Sequence, residues 1–267
     1  MDYQEFSKNV YRLCGIELDC YKEKQMHRRI DSLIAKRGIG NYADYFRLIK
    51  SDKSMLSEFL GHITINVSEF YRNPQQWDIL KKEIYPDILN KNKTPKIWSA
   101  ACSTGDEPYT LVMTLAEFLP LANIKIIATD IDDEILNKAK SGMYTKKSLD
   151  SLPKQYVEKY FDYKDEIYIV KETVKRCVEF KKHNLLKDRY PDNVDLIVCR
   201  NVLIYFTNEA KDNIYSNFRD SLKNGGVLFI GSTEQIIGAE KYGLKSLRTF
   251  FYKKNLSDSN HCQNSRF

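Results

Sequence analysis

No run of apolar residues in this chain approaches the roughly 20 needed to cross a bilayer, so direct membrane insertion is not expected. None of the six cysteines (Cys14, Cys20, Cys102, Cys177, Cys199 and Cys262) stands at CxxC spacing, and the four histidines are scattered. No metal site or disulfide framework is expected, and the thiols should be reduced. Neither sign of charge dominates: 42 lysines and arginines face 36 aspartates and glutamates. A net +6 helps an acidic partner approach but is too small to demand nucleic acid. The opening residues Met1-Asp-Tyr-Gln-Glu-Phe6 are acidic and amphipathic, unlike a secretion signal, and point to a cytoplasmic protein. The three-glycine GxGxxG fingerprint of dinucleotide sites is missing.

The 267 residues that are present suffice for one large domain, or for a medium domain and a small one. Up to about residue 75 the pattern is helical. Phe6, Val10 and Leu13 keep helical spacing, as do Met26, Ile30, Leu33 and Ile34, with Gly38 and Gly40 stopping that second helix. Tyr42, Tyr45, Phe46 and Ile49 predict a third helix, and Met55 to Ile63 a fourth. From Trp77 the texture changes. Strand candidates Lys96–Ala100, Lys125–Thr129, Val194–Cys199 and Val227–Ile230 alternate with helical stretches, which predicts an α/β domain with a mainly parallel sheet. Val227–Gly231 and Leu247–Tyr252 are expected to add an antiparallel strand. Glu166–Val170 and Arg176–Phe180 read as an antiparallel hairpin inserted between about 145 and 182. A polar tail occupies 255–267.

The most informative stretch is Lys96-Ile-Trp-Ser-Ala-Ala-Cys-Ser-Thr-Gly-Asp-Glu-Pro-Tyr-Thr-Leu111, answered by Ile126-Ile-Ala-Thr-Asp-Ile-Asp132. An apolar strand enters a turn of small residues and then a helix; a second strand ends in carboxylates. That is the first half of a Rossmann-type nucleotide site, with Asp130 placed for a ribose diol. A turn with one glycine, Ala101 to Gly105, suits an adenosyl ligand without phosphates better than a dinucleotide. Asn184, at the third strand tip, can pair with an adenine edge, and Leu185 can pack on its face. Taken singly, these two would be a turn residue and a core leucine.

Together the segments Ile65-Asn-Val-Ser-Glu-Phe-Tyr-Arg72, Trp98 to Tyr109, Ala128-Thr-Asp-Ile-Asp132, Asn184-Leu185 and Cys199-Arg-Asn-Val-Leu-Ile-Tyr-Phe206 occur in the order found in one family. The chain resembles the CheR family, S-adenosylmethionine-dependent methyltransferases of bacterial chemoreceptors, from Tyr3 to about Lys254. The resemblance implies a helical receptor-docking domain (1–75) and a Rossmann-like methyltransferase domain (76–254) with a small antiparallel β-subdomain inserted. It implies methyl transfer from S-adenosyl-L-methionine to receptor glutamates, giving methyl esters and S-adenosyl-L-homocysteine. Carried over by position, Asn66, Ser68, Arg72, Ala101, Glu107, Asp130, Asn184, Leu185, Arg200 and Asn201 would bind the cofactor. Arg72 and Tyr205 match the residues nearest the methyl group. Ser68 stands where threonine is common, Tyr71 where phenylalanine is, and Asp106 where glutamate is.

Lys24, Arg28, Arg29 and Lys36 form a basic arc beside the Met26/Ile30 stripe, suited to docking on an acidic helical bundle of a chemoreceptor. The inserted hairpin offers strand addition to a receptor C-terminal peptide, as in some relatives. The chain is expected to act as a monomer. Two rival readings remain at this stage. A methyltransferase of nucleic-acid bases typically carries an Asn/Asp-Pro-Pro-aromatic motif at the fourth strand tip, where this chain reads Arg200-Asn-Val-Leu-Ile-Tyr205 without proline. A catalytically idle adenosyl-binding adaptor would not need Arg72 and Tyr205.

Overall fold

The computed structural model describes residues 1–255, so Cys262 and the tail beyond Asn255 lie outside the described residues. The chain divides into two compact units: Met1–Asn66 with Leu203–Asn213, and Val67–Val202 with the chain from Ile214 on.

Helical periodicity and polar caps build the first unit, from α1 (Tyr3–Cys14), α2 (Glu23–Lys36), α3 (Tyr42–Ser51) and α4 (Lys53–Ile63). Asp2 accepts the Glu5 N–H at 2.8 Å to start α1, Asn41 accepts that of Asp44 at 2.9 Å to start α3, and Asp52 that of Ser54 at 2.7 Å to start α4. Each cap satisfies an amide that the helix itself cannot. The stripes named from spacing form the core: Phe6, Val10, Met26, Ile30, Leu33 and Ile49 are buried, as is Phe59. The late segment 203–213 is stitched in by strand-like pairing. Lys22 N donates to the Tyr205 carbonyl at 2.8 Å and Thr207 N to that of Cys20 at 2.9 Å, while the Tyr21 and Phe206 rings lie 4.7 Å apart.

In the second unit, α5 (Pro74–Ile79) continues through a π-helical turn, Leu80–Ile84, into α6 (Tyr85–Lys91). Then follow β1 (Ile97–Ala100), α7 (Asp106–Leu115), β2 (Ile126–Asp130), α8 (Asp133–Ser141), β3 (Met143–Tyr144), α9 (Lys154–Tyr160), β4 (Phe161–Lys164) and β5 (Ile167–Val170). α10 (Glu172–Lys175), β6 (Val178–Lys182), β7 (Val194–Cys199), α11 (Asn208–Ser221), β8 (Leu222–Ile230), β9 (Leu244–Arg248) and β10 (Phe251–Lys254) complete the described chain. The first residues of α11, up to Asn213, count with the helical unit. The large sheet has the order β6-β2-β1-β7-β8-β10-β9, parallel through β8 and closed by the antiparallel pair β10 and β9. β1 and β7 are buried along their whole length, as strands covered on both faces must be. Strand order reverses at β1, whose Trp98 pairs with Ile127 on one side and Ile197 on the other, and a ligand crevice is expected beyond the strand ends at such a point.

Two strand expectations are corrected. Glu166–Val170 pairs with Phe161–Lys164 in a separate antiparallel sheet of order β3-β5-β4, not with Arg176–Phe180. The latter run enters the large sheet as β6, parallel to β2 with Phe180 opposite Ala128. The crossover from β2 to β6 thus carries the inserted sheet between α8 and α10, so no long helix announces it. The run Leu247–Tyr252 is broken at Phe250, whose φ of +70° turns the chain between β9 and β10. Among the described residues no helix is long and apolar enough to cross a membrane.

Candidate cofactor site

The loop from β1 into α7 is coiled by alternate left-handed residues: Ala101 at φ +61°, Ser103 at +49° and Gly105 at +91°. Conformations of this kind persist only where neighbours over-determine them. Here the Cys102 N–H donates to the Thr129 carbonyl at 2.8 Å and the Ser103 N–H to Asp130 Oδ2 at 2.8 Å. Gly105 is required twice over, since a Cβ there would lie 3.0 Å from both Ala139 Cβ and the Tyr144 hydroxyl. The loop is thereby laced to the tip of β2. Asp130 is 6% exposed, and its other oxygen accepts the Asp132 N–H at 3.1 Å. Burial raises its pKa and the backbone bonds pull it back down. With a third backbone bond from Ile131, the carboxylate keeps one acceptor site for a ligand hydroxyl.

Glu107 stands in the first turn of α7 and is enclosed by the same crevice. Ser99 Oγ donates to its Oε1 at 2.8 Å, and Arg200 Nη1, from the tip of β7, lies 3.7 Å from Oε2. Burial raises the Glu107 pKa, with Arg200 the strongest influence lowering it and Arg72 a weaker one. Arg200 holds the segment that carries Arg72. Its Nη2 donates to the Arg72 carbonyl at 2.7 Å, to Gln76 Oε1 at 3.0 Å and to Asn73 Oδ1 at 3.1 Å, while the guanidinium carbon lies 4.9 Å from the Phe229 ring centre. Trp77 Nε1 donates to the same Arg72 carbonyl at 2.9 Å. The backbone before the Arg72 side chain is therefore fixed on two sides.

A narrow cleft of about 40 Å³ opens here, and Ser68, Arg72, Ala101, Glu107, Arg200 and Asn201 all line it. Asp130 is one hydrogen bond away through Ser103, which also lines the cleft. The third tip joins by backbone, His183 N donating to the Asp130 carbonyl at 2.9 Å. Beyond it the Asn184 carboxamide oxygen accepts the Leu186 N–H at 2.9 Å, which leaves its donor end to offer, and Leu185 is buried. Asp106 is turned to a different task from Glu107. Its buried carboxylate accepts from Thr104 Oγ1 and from the Ser68 hydroxyl, tying the 67–72 segment to the loop.

The remaining candidates lie in the helical unit. Asn66 Nδ2 donates to Thr64 Oγ1 at 2.9 Å, and Tyr205 ends a 3₁₀ turn, Leu203–Tyr205. Lys24, Arg28 and Lys36 are exposed on α2. Arg29 is not: it donates to the His62 carbonyl through Nε at 3.1 Å and through Nη2, and His62 Nε2 meets the Arg29 carbonyl at 3.0 Å. Burial lowers the Arg29 pKa, with Tyr205 acting the other way.

One residue of the crevice escapes sequence reasoning. Glu234, past the tip of β8, is 5% exposed and accepts the Asn201 N–H at 2.6 Å. Its only trace in the sequence is an acid four residues after an apolar strand ends.

The lining fits an adenosyl amino acid. The Ser103 hydroxyl and Arg200 Nε are buried with no partner. A carboxylate is present for hydroxyls (Asp130), another for an ammonium (Glu107), and guanidinium groups for a carboxylate (Arg72 and Arg200).

Comparison with known proteins agrees in extent and order. Residues 66–249 match the family described as CheR methyltransferase, SAM binding domain, and residues 1–64 match CheR methyltransferase, all-alpha domain. A chemotaxis protein methyltransferase of Listeria innocua is 42% identical over 95% of this chain and 97% of its own. Proteins of the same description from Borreliella burgdorferi (35% identical, 93% of this chain and 92% of theirs) and Escherichia coli (31%, 90% and 86%) are similar along nearly their whole lengths.

Proposed function

The chain belongs to the CheR methyltransferase family, and from that premise we propose that it transfers the methyl group of S-adenosylmethionine to glutamate side chains of chemoreceptors. The observation that carries the reading is the single cleft in which Arg72, Glu107 and Arg200 converge beside the loop at the tip of β1.

Bound S-adenosylmethionine supplies an electrophilic methyl group on a sulfonium sulfur. Asp130 would accept from the ribose hydroxyls, Asn184 and Leu185 would meet the adenine, and Glu107 would pair with the ammonium. Ser68, Ala101, Arg200 and Asn201 would line the remainder, and Asn66 is carried over by position from the family. An unperturbed glutamate titrates near roughly 4.3, so the acceptor is already ionised at neutral pH and no general base is needed. The protein's work is to hold that carboxylate at attack distance, which is worth several kcal/mol. Arg72 serves this by offering a planar fork, and Tyr205 by offering a hydroxyl. Neither should grip tightly, because an ion pair that stabilises the ground-state carboxylate blunts its attack. The reaction is that of a protein-glutamate O-methyltransferase acting as a monomer in the cytoplasm. Its partner is the helical bundle of a receptor, with the sheet β3-β5-β4 open to a receptor tail peptide.

The test is incubation with labelled S-adenosylmethionine and membranes bearing chemoreceptors. Base-labile label on receptor is expected. No transfer, or label on RNA, would overturn the reading. Arg72→Ala should lower turnover about a hundredfold with its circular-dichroism spectrum unchanged.

A further inference from the structure

None of the roles above uses Glu234. Its Oε2 accepts two backbone amides at once, Asn201 N–H at 2.6 Å and Gly231 N–H at 2.8 Å, while its own N–H donates to the Gly231 carbonyl at 3.1 Å. A buried carboxylate between two amides makes a charge-assisted clamp, stronger than a neutral hydrogen bond. The residue it holds needs holding. Asn201 has φ +62°, a left-handed conformation that asparagine adopts more readily than other L-residues, and the two amide bonds fix it among the alternatives open to a free turn. There is no slack around the clamp, since a Cβ on Gly231 would stand 2.6 Å from Glu234 Oε2 and 2.7 Å from Asn201 N. Asn201 and its neighbour Arg200 both line the cleft. The Glu234 charge is also felt inside it: burial raises the Glu107 pKa and Glu234 adds to that rise, while burial lowers the Arg200 pKa and Glu234 partly opposes it.

We propose that Glu234 is a positioning residue for cofactor binding, clamping the Asn201 and Gly231 amides so that the Arg200–Asn201 turn is preset in the form that meets the ligand. The proposal rests on the reading of the cleft as the S-adenosylmethionine site.

Calorimetric titration of the full chain with S-adenosylhomocysteine, alongside thermal unfolding, tests it. Glu234→Ala should weaken binding by about tenfold or more, because the turn must then be ordered at the expense of binding free energy. Glu234→Gln keeps an oxygen that accepts both amides and should stay within about threefold of wild type. In steady state Glu234→Ala should raise KM for S-adenosylmethionine more than it lowers kcat. A residue serving stability alone would lower the melting temperature and leave Kd and KM as they were. Wild-type binding together with equal binding by folded Glu234→Ala overturns the proposal alone. Absence of binding by wild type overturns the cleft reading, and this proposal falls with it. Should Glu234→Ala not fold, Glu234→Asp decides, since it withdraws the carboxylate by one methylene: loss of affinity supports the clamp and wild-type affinity refutes it.

Discussion

Glu107 is enclosed by protein and still keeps one oxygen facing arginine, so its protonation is a sensitive reporter of the site. Burial raises its pKa above the ordinary glutamate value. An ammonium ligand selects the ionised form, so affinity should be full above that raised pKa and lost as pH falls through it. Calorimetry with S-adenosylhomocysteine from about pH 8 down to about pH 5 should show Kd rising earlier than an ordinary glutamate would cause. Glu107→Gln should weaken binding about tenfold at neutral pH and leave only the share of the pH dependence that Asp130 contributes; an unchanged Kd would remove Glu107 from the ligand. Tyr71 poses a different question, because its hydroxyl is the departure from the family's usual phenylalanine. Its ring stacks on Trp77, and its hydroxyl bonds Lys81, whose Nζ lies 3.4 Å from a Glu117 oxygen that Tyr156 also reaches. The polar tip thus braces the segment leading to Arg72 against α9 and the end of α7. Tyr71→Phe should cost about 1 kcal/mol in denaturant unfolding and leave cofactor affinity unchanged, since the Arg72 carbonyl keeps both donors. Residues of this kind were legible unequally. Strand-tip logic finds Asp130, Asn184 and Leu185 because the crevice must lie beyond parallel strand ends, whereas Glu107 and Asn201 enter only through the family resemblance. Glu234 acts on backbone amides brought together by folding, and spacing along the chain says nothing of which amides those are.

At the scale of elements, the β1–α7 loop is the most constrained piece. Its left-handed residues and its laces to Thr129 and Asp130 make it a preformed cradle rather than a flexible lid. Gly105→Ala meets both a positive φ and two atoms at 3.0 Å, so it should lower stability by about 1–3 kcal/mol. It should also weaken cofactor binding, because α7 starts at the next residue and carries Glu107. A variant with wild-type melting temperature and Kd would show that the loop relaxes at no cost. Helices α1 to α4 were readable because each carries a periodic stripe, to which α1, α3 and α4 add a side-chain cap. The inserted sheet was readable only in part. Arg176–Phe180 and Phe161–Lys164 are equally short β-like runs, and the choice between them as partner of β5 depends on β6 completing the large sheet against β2. Pairing is a property of the sheet, and no local pattern in either run encodes it.

For the whole molecule, the proposed function assigns a different kind of recognition to each of the two units. The cofactor cleft is lined by residues of the sheet-containing unit, whereas the exposed cations Lys24, Arg28 and Lys36 belong to the helical one. Charge on an exposed helix face steers an acidic partner and changes association rate more than it changes the chemistry. Arg29, beside them in sequence, is a different case, because its guanidinium is spent on the His62 carbonyl that ends α4. Reversing Arg29 to glutamate would leave that carbonyl without its donor and bring a carboxylate against it, so the helical unit itself should lose about 1–3 kcal/mol. Reversing Lys24 and Arg28 instead should leave the melting temperature and the S-adenosylhomocysteine Kd at wild-type values. Receptor methylation at sub-saturating receptor should then fall several-fold, and the deficit should shrink as salt screens the surface charges. If the double reversal methylates receptor at the wild-type rate in low salt, the docking face is elsewhere on the protein. If it also changes the cofactor Kd, recognition of the two ligands is not separable in the way that the lining of the cleft implies.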